Sequence, residues 1–404
     1  IMDNRLSPPY LKEVLALYDE SKLILGDFDF GIVGDQKTTL WVSPGLGPND
    51  WPMKEAIDKG VMIKSEIDIL MTQTPRPKII AVSGSNGKST VVDIIKQTLN
   101  HEGYSCRIAG NHDFPAVCLL DHLDDDVWIL ELSSFQLFYA SCFQSDVSVL
   151  LNITEDHLDW HRDMECYANA KLKLLAMSNR AVCHHDLVKQ YHISHNSLTT
   201  FGNDSNADWY INQAFLYRKN QMILETDHMR VKQLNHLAAF AAIDQVGLGQ
   251  DRSYLYIDSN LPYRCDYRGY INERHWYNDS KATNPAAVCA AIIQIESKLA
   301  TSESMVVLMG GKAKMGCDYR FDSELFSRVK CVLIYGASSS KIISWIPHNI
   351  QTYEFDSLNQ AFSYTPDVSQ PGDSILFSPA CSSFDAYRNY KHRGQHFNDL
   401  VDAL

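Results

Sequence analysis

Ile79-Ile80-Ala81-Val82-Ser83-Gly84-Ser85-Asn86-Gly87-Lys88-Ser89-Thr90 is the stretch on which the fold turns. Four apolar residues read as a buried strand, and a glycine-rich turn follows. From Lys88 to about His101 the apolar positions Val92, Ile95 and Leu99 recur on one helical face. A strand, a tight glycine turn and a helix in that order make a phosphate cradle. Backbone N–H groups at the helix start face the anion, Lys88 offsets its charge, and the Ser89 or Thr90 hydroxyl can reach Mg²⁺. On this reading Lys88 faces solvent above the phosphates. The spacing Gly-x-x-Gly-Lys-Ser-Thr is two residues shorter than the common form, so a plain glycine-rich turn is the competing reading. The strand and helix on either side favour the phosphate site.

Outward from this segment, short β-rich runs alternate with helical-period segments, which signals α/β layering around a mostly parallel sheet. Met71-Thr-Gln-Thr-Pro-Arg-Pro-Lys78 is the first breaker-rich link and marks a border at or slightly before it. Strands are expected at 127–132, 147–153 and 181–184, then a hairpin-like stretch over 209–224 turning at Asn220. From about Leu261 the alternation resumes, with strands at 305–309, 331–335 and 374–378. A chain of 404 residues fits two or three domains at about 150 residues each. The expected division is 1–65, 66–262 and 263–404.

Thirty-six Lys and Arg against 49 Asp and Glu leave a net charge of −13. That balance disfavours a nucleic-acid binder, which needs a basic face, so any phosphate must be held by local groups. The ten cysteines, Cys317 among them, show no Cys-x-x-Cys spacing and read as reduced thiols. No apolar run reaches the roughly 18 residues of a membrane span. A soluble, cytoplasmic protein is expected.

Other candidate residues are ambiguous one at a time. Glu131 ends a strand, where a carboxylate can bind a metal beside phosphates or simply be a solvated cap. His157, in Asn152-Ile-Thr-Glu-Asp-His157-Leu-Asp159, is a metal ligand oriented by Asp156 or Asp159, or surface decoration. Lys171 alone reads as a surface lysine lying along its helix, with Glu165 as a partner. Tyr277-Asn278-Asp279-Ser280-Lys281-Ala282-Thr283-Asn284-Pro285 leads from strand to helix, and serves as a cap, a ligand contact or both. Gly310-Gly311-Lys312-Ala-Lys314 and Ser378-Pro-Ala-Cys381-Ser382-Ser383-Phe384-Asp385 repeat that design. Several such turns in one domain point to a cleft.

These segments, with Glu131-Leu-Ser133-Ser134-Phe135-Gln136-Leu137 and Thr154-Glu155-Asp156-His157-Leu158-Asp159, occur in the order found in the Mur ligase family. The chain resembles that family nearly from end to end, most closely its D-glutamate-adding branch. The resemblance implies an α/β fold of three domains: an incomplete N-terminal Rossmann-like domain that binds the UDP-linked substrate, a central P-loop ATPase-like domain, and a C-terminal Rossmann-like domain. It implies ATP and Mg²⁺ as cofactors. It also implies an ATP-dependent amide ligase that joins D-glutamate to UDP-N-acetylmuramoyl-L-alanine through an acyl phosphate in peptidoglycan precursor synthesis. A monomer without nucleic-acid or membrane partners is expected.

Residue by residue, the resemblance places Gly84, Ser85, Asn86, Gly87, Lys88, Ser89 and Thr90 on the ATP phosphates, and Asn235 near adenine. Arg264 falls near the phosphates and Asp279 on the ribose. Ser89 and Glu131 would hold one Mg²⁺, with His157 and a carbamylated Lys171 at a second; Lys88, His157 and Lys171 form the catalytic set. Asp3, Arg5, Ser43, Pro44, Gly45, Asn111, Ser133 and Gln136 correspond to contacts with the UDP-linked substrate. Lys281, Thr283, Lys314, Ser383, Phe384 and Tyr390 correspond to the D-glutamate pocket, where Lys314 pairs with the side-chain carboxylate. Three departures stand out. The first strand and turn are not recognisable, so the chain enters the fold partway. His112-Asp113 replaces an apolar residue and glycine after Asn111. Ala238 stands where the family places a second asparagine against adenine.

Overall fold

A computed structural model of the protein describes residues 1–3, 5–8, 11–19, 23–26, 39–212, 215–225, 233–248, 259, 261–314 and 319–404. Near the N-terminus two parallel pairs form, β1 (Met2–Asp3) with β2 (Ile24–Leu25) and β3 (Thr39–Val42) with β4 (Met62–Ser65).

The largest sheet has nine strands in the order β13-β12-β11-β10-β9-β8-β5-β7-β6. They are β5 (Lys78–Ser83), β6 (Cys106–Gly110), β7 (Val127–Glu131), β8 (Ser145–Leu150), β9 (Ser178–His184), β10 (Leu198–Gly202), β11 (Trp209–Asn212), β12 (Phe215–Arg218) and β13 (Gln221–Glu225). β5 lies between β8 and β7, and both pairings are parallel. Strands covered on both faces are apolar throughout rather than alternating, and Ile79, Ile80, Ala81 and Val82 are all fully buried. Ile80 and Val82 face one side with the helices Lys88–His101 and Gln233–Val246, while Ile79 and Ala81 face the other with Trp128, Leu137 and Leu174. Each large side chain so buried contributes about 1.5–3 kcal/mol, so a charge at Ile80 would cost the sheet its centre.

The stretch expected to be one hairpin is three strands. β11 and β12 pair antiparallel, and β12 and β13 meet at Lys219-Asn220, both left-handed, so Asn220 does turn the chain. The segment beyond 261 forms a six-stranded sheet, β14-β15-β19-β16-β17-β18. Its strands are β14 (Asp266–Ile271), β15 (Arg274–Asn278), β16 (Met305–Gly310), β17 (Val329–Tyr335), β18 (Gln351–Phe355) and β19 (Ser374–Ala380), parallel except for β14 with β15. The helix Pro285–Glu296 starts where expected: the Asn284 side chain accepts the Ala287 N–H, and Pro285 occupies the first turn, where its missing N–H costs nothing.

Nine cysteines are free thiols, and Cys317 lies outside the described residues. Among the described residues no helix is long and apolar enough to cross a membrane.

Candidate active site

The carboxyl ends of β5, β7 and β8 converge on the turn 84–90, as strand ends do at ligand crevices in open α/β sheets. Two contacts explain the glycines. Gly87 has φ of 87°, and a Cβ there would lie 2.6 Å from Asn235 Oδ1; on Gly84 it would meet Leu151 at 2.9 Å. Asn152, from the end of β8, grips the loop from outside: its Oδ1 accepts the Asn86 N–H at 2.8 Å, and its Nδ2 donates to the Asn86 carbonyl at 3.1 Å. Ser85 Oγ donates to Thr154 O at 2.9 Å and lies 2.7 Å from the Tyr167 hydroxyl. The anion cradle is therefore rigid before any ligand arrives.

Lys88 corrects one expectation. It does not face solvent; it is half-buried and curls back, donating to the carbonyls of Gly84 at 2.7 Å and Ser85 at 3.0 Å. Burial lowers its pKa, Glu131 opposes that shift, and Arg264 adds to it. An arriving phosphate offers a stronger charge-assisted partner than two neutral carbonyls.

Ser89, Glu131, Asn111 and Arg264 come together. Ser89 Oγ donates to Glu131 Oε2 at 2.6 Å, Asn111 Nδ2 lies 3.5 Å from Oε1, and Arg264 Nη2 donates to Ser89 Oγ at 2.7 Å from the other sheet's side. Glu131 is buried, so the solvated-cap reading fails. A hydroxyl and a carboxylate are hard oxygen donors of the kind Mg²⁺ takes while keeping several waters. Thr90 is buried in the first helical turn.

Lys171 is not a surface lysine. It is 2% exposed, and its Nζ donates to the Gly84 carbonyl at 2.9 Å, with Ser83 Oγ at 3.5 Å and the Tyr167 ring 4.9 Å away. Burial first, then Lys88, pushes its pKa well below the ordinary value, against Asp156 and Glu131. His157 has φ of 57°, its Nε2 lies 3.6 Å from Asp156 Oδ2, and its ring meets Phe135 edge-on at 4.7 Å. Burial moves its pKa down to about 3; Asp156 opposes the shift, and Lys314 and Lys88 reinforce it. Asp156, not Asp159, is thus the acid beside this ring. Among the described residues no three His, Cys, Asp or Glu side chains form a ready metal cluster, so a second metal there needs a further anionic ligand.

Groups from the second sheet close over the first. Lys314 forms an ion pair with Asp156. Asn284 Nδ2 donates to Asn86 Oδ1 at 3.1 Å and to Asp156 Oδ2 at 3.3 Å. Thr283 and Lys314 line a cleft with Asp156 and His157. Lys281 Nζ sits 4.1 Å over the Tyr390 ring, and burial, with Arg264 adding, brings its pKa down to about 8. Ser383 is buried, whereas Phe384 is 72% exposed. Asp279 accepts from Cys265 N at 3.1 Å and Ser378 Oγ at 2.8 Å.

The residues assigned to the UDP-linked substrate are more dispersed. Ser133 caps the helix Ser134–Tyr139, and Gln136 completes a capping box with it while donating to Glu66 Oε1 at 2.6 Å. Asp3 and Arg5 bind each other in a two-point pair. Ser43, Pro44 and Gly45 follow β3, next to Leu46, whose carbonyl accepts the Tyr139 hydroxyl at 2.9 Å.

The departures also find their places. Asp113 forms an ion pair with Lys391, joining the loop after Asn111 to the last helix. Ala238 is fully buried in the core against β5 and β8, whereas Asn235 lines a cavity beside the loop. Arg393 had no sequence signal. It is fully buried, and its guanidinium donates to Ser280 Oγ and O, Cys381 O and Gly310 O at 2.9–3.4 Å. One cation thereby ties together three loops of the second sheet.

Comparison with known proteins agrees with this geometry. Residues 82–241 match the Mur ligase middle domain. The UDP-N-acetylmuramoylalanine–D-glutamate ligase of Nitrosococcus oceani is 30% identical across all of this chain and 91% of its own length. The enzyme of that name from Shewanella oneidensis is also 30% identical, over 100% and 92%. Among solved structures, the MurF ligase of Thermotoga maritima in complex with ADP superposes with a TM-score of 0.63 at 16% identity, over 90% of this chain and 94% of that one. FolC of E. coli with ADP gives 0.60 at 18%, over 84% and 93%. With whole-length identity to such ligases and their multi-domain α/β fold, the chain belongs to the Mur ligase family.

Proposed function

We propose that this protein is an ATP-dependent ligase that joins D-glutamate to UDP-N-acetylmuramoyl-L-alanine in peptidoglycan precursor synthesis. The observation that carries the reading is the meeting of two sheets at one phosphate loop: Arg264 on Ser89, Asn284 on Asn86, and Lys314 on Asp156. A ligase must hold a nucleotide and an amino acid on facing surfaces, and the names of the whole-length relatives supply the substrates.

The γ-phosphoryl group passes to the substrate carboxylate, giving an acyl phosphate and ADP; the D-glutamate amine attacks that carbonyl, and phosphate leaves from the tetrahedral adduct. Catalysis of such transfers is mostly positioning and charge stabilisation. Lys88 exchanges its two loop carbonyls for phosphate oxygens, and Arg264 offsets charge from the opposite side. Asn111, Ser133 and Gln136 border the carboxylate-bearing substrate. Lys314, together with Ser383, receives the distal carboxylate of D-glutamate, a charge-assisted contact worth about 1.5–3 kcal/mol. Lys281, Thr283, Phe384 and Tyr390 complete that pocket.

Ser89 and Glu131 would hold one Mg²⁺, and His157 with a carbamylated Lys171 a second; bound there, the ions would neutralise phosphate charge. The donors fit. Burial lowers the pKa of this amine, which favours the neutral form that adds to CO₂, forming an N–C bond and releasing a proton, and the carbamate would supply the further anionic oxygen. The enzyme acts as a cytoplasmic monomer without nucleic-acid or membrane partners; the −13 charge supports the absence of a nucleic-acid partner. The test is phosphate release with ATP, UDP-N-acetylmuramoyl-L-alanine and D-glutamate, omitting each in turn. Release independent of D-glutamate would overturn the reading.

A further inference from the structure

Beside the phosphate loop lies a cavity of about 270 Å³, with apolar walls from Leu151, Leu187, Phe201 and Leu234 and polar groups that include His184 and Asn235. It shares residues with the loop's own supports. Leu151 and Asn235 abut Gly87, and Asn152, also in its wall, holds Asn86 at both polar ends. A cavity with apolar walls and a few polar groups next to a phosphate cradle suits the base of the nucleotide. Ala238 cannot read that base, because its side chain is a buried methyl group with no hydrogen-bonding atom.

His184 ends β9 and lies edge-on to Phe201 at 5.2 Å. Its Nδ1 accepts the Asp186 N–H at 3.2 Å. A neutral imidazole that accepts at Nδ1 carries its proton at Nε2. Burial, opposed by Asp186 and aided by His185, keeps the ring below its ordinary pKa and so neutral at pH 7. Asn152 is already spent on Asn86, and the His184 Nε2–H is a donor whose ring is oriented by the Nδ1 contact.

We propose that His184 is the base-reading residue of the nucleotide site, its Nε2–H donating to N1 of adenine in this cavity. The assignment rests on the ATP-dependent reading above and adds selectivity to it. Adenine presents an acceptor at N1, whereas guanine presents N1–H, so guanine would set donor against donor. A buried polar group left unpaired by the wrong ligand is a strong discriminator.

The bland alternative is that His184 only caps the short helix His185–Gln190. His184→Ser and His184→Asn separate the two, since Ser and Asn are good caps but neither reaches the base while capping. Dissociation constants of MgATP and MgGTP would be measured on the full chain by competition against a fluorescent ATP analogue, with thermal midpoints alongside. The expected result is a preference for ATP in the unmodified protein, a roughly tenfold loss of ATP affinity in both variants, and little change for GTP. The ATP-to-GTP ratio does not depend on the folded fraction, so partial unfolding cannot mimic the effect. An unchanged ratio in both variants, or equal binding of both nucleotides by the unmodified protein, would overturn the role of His184. Failure of the unmodified protein to bind ATP at all would instead sink the ligase reading.

Discussion

Replacing Lys171 by Met tests the reading most sharply, because stability and activity should move in opposite directions. The lysine is buried, its amine makes one good hydrogen bond, to the Gly84 carbonyl at 2.9 Å, and the contact with Ser83 Oγ at 3.5 Å is marginal. Losing that bond costs about 0.5–1.5 kcal/mol. Removing the buried amine recovers about 1–3 kcal/mol of desolvation, and Met nearly conserves the volume of the stem. The variant should therefore be as stable as the parent or up to about 2 kcal/mol more stable, a rise in thermal midpoint of a few degrees at about 2–4 °C per kcal/mol. Turnover should fall by about 10²–10³, the scale for losing one preorganised electrostatic group. The assay pairs steady-state phosphate release with a thermal melt. In Lys171→Ala, a small carboxylate such as formate should restore part of the activity by occupying the vacated oxygen position. Near-normal turnover in Lys171→Met would refute the catalytic role, and parallel loss of turnover and folding would reduce Lys171 to a packing element.

Lys314→Ala should raise KM for D-glutamate about thirtyfold, the worth of a roughly 2 kcal/mol pair, with a smaller effect on KM for ATP; equal rises would mean that losing the Asp156 pair disturbs the whole cleft. Arg393→Met should cost about 3 kcal/mol or more in urea unfolding, because three carbonyls lose their donor in the interior, and Arg393→Lys should recover part of it. His161, 2% exposed with Nε2 2.8 Å from Ser134 Oγ, is pushed by burial, with Lys171 adding, from 6.5 to about 4. Because the folded state holds the lower pKa, the unfolded chain takes up the proton first. The stability tied to His161 is complete above pH 6.5 and is lost as pH falls through about 4, so His161→Gln should flatten the fall in thermal midpoint across that window.

Much of this protein is determined locally. The run Ile79–Val82 is apolar at both parities, the pattern of a strand covered on two faces, and a glycine turn opening a helix at Lys88 makes a phosphate site from backbone geometry. Asn284-Pro285 and Asn220 likewise act within one turn of chain. The order of the motifs identified the family, and with it the expected site. What the chain could not reveal by itself is which lysine is buried. Lys171 and Lys173 sit two apart on one helix, yet Lys171 reaches Gly84 while Lys173 satisfies the carbonyls of Phe138 and Ala140. Nor could it show that Asp156 meets Lys314, that Lys88 folds back on its own loop, or that Arg393 gathers three loops. These pairings join residues far apart in sequence, and burial and Coulomb energy depend on distance in space. Hydrophobic periodicity reports only on which face of its own element a residue occupies; the burial and charge environment that lowers the pKa of Lys171 exists only once the sheets have packed together.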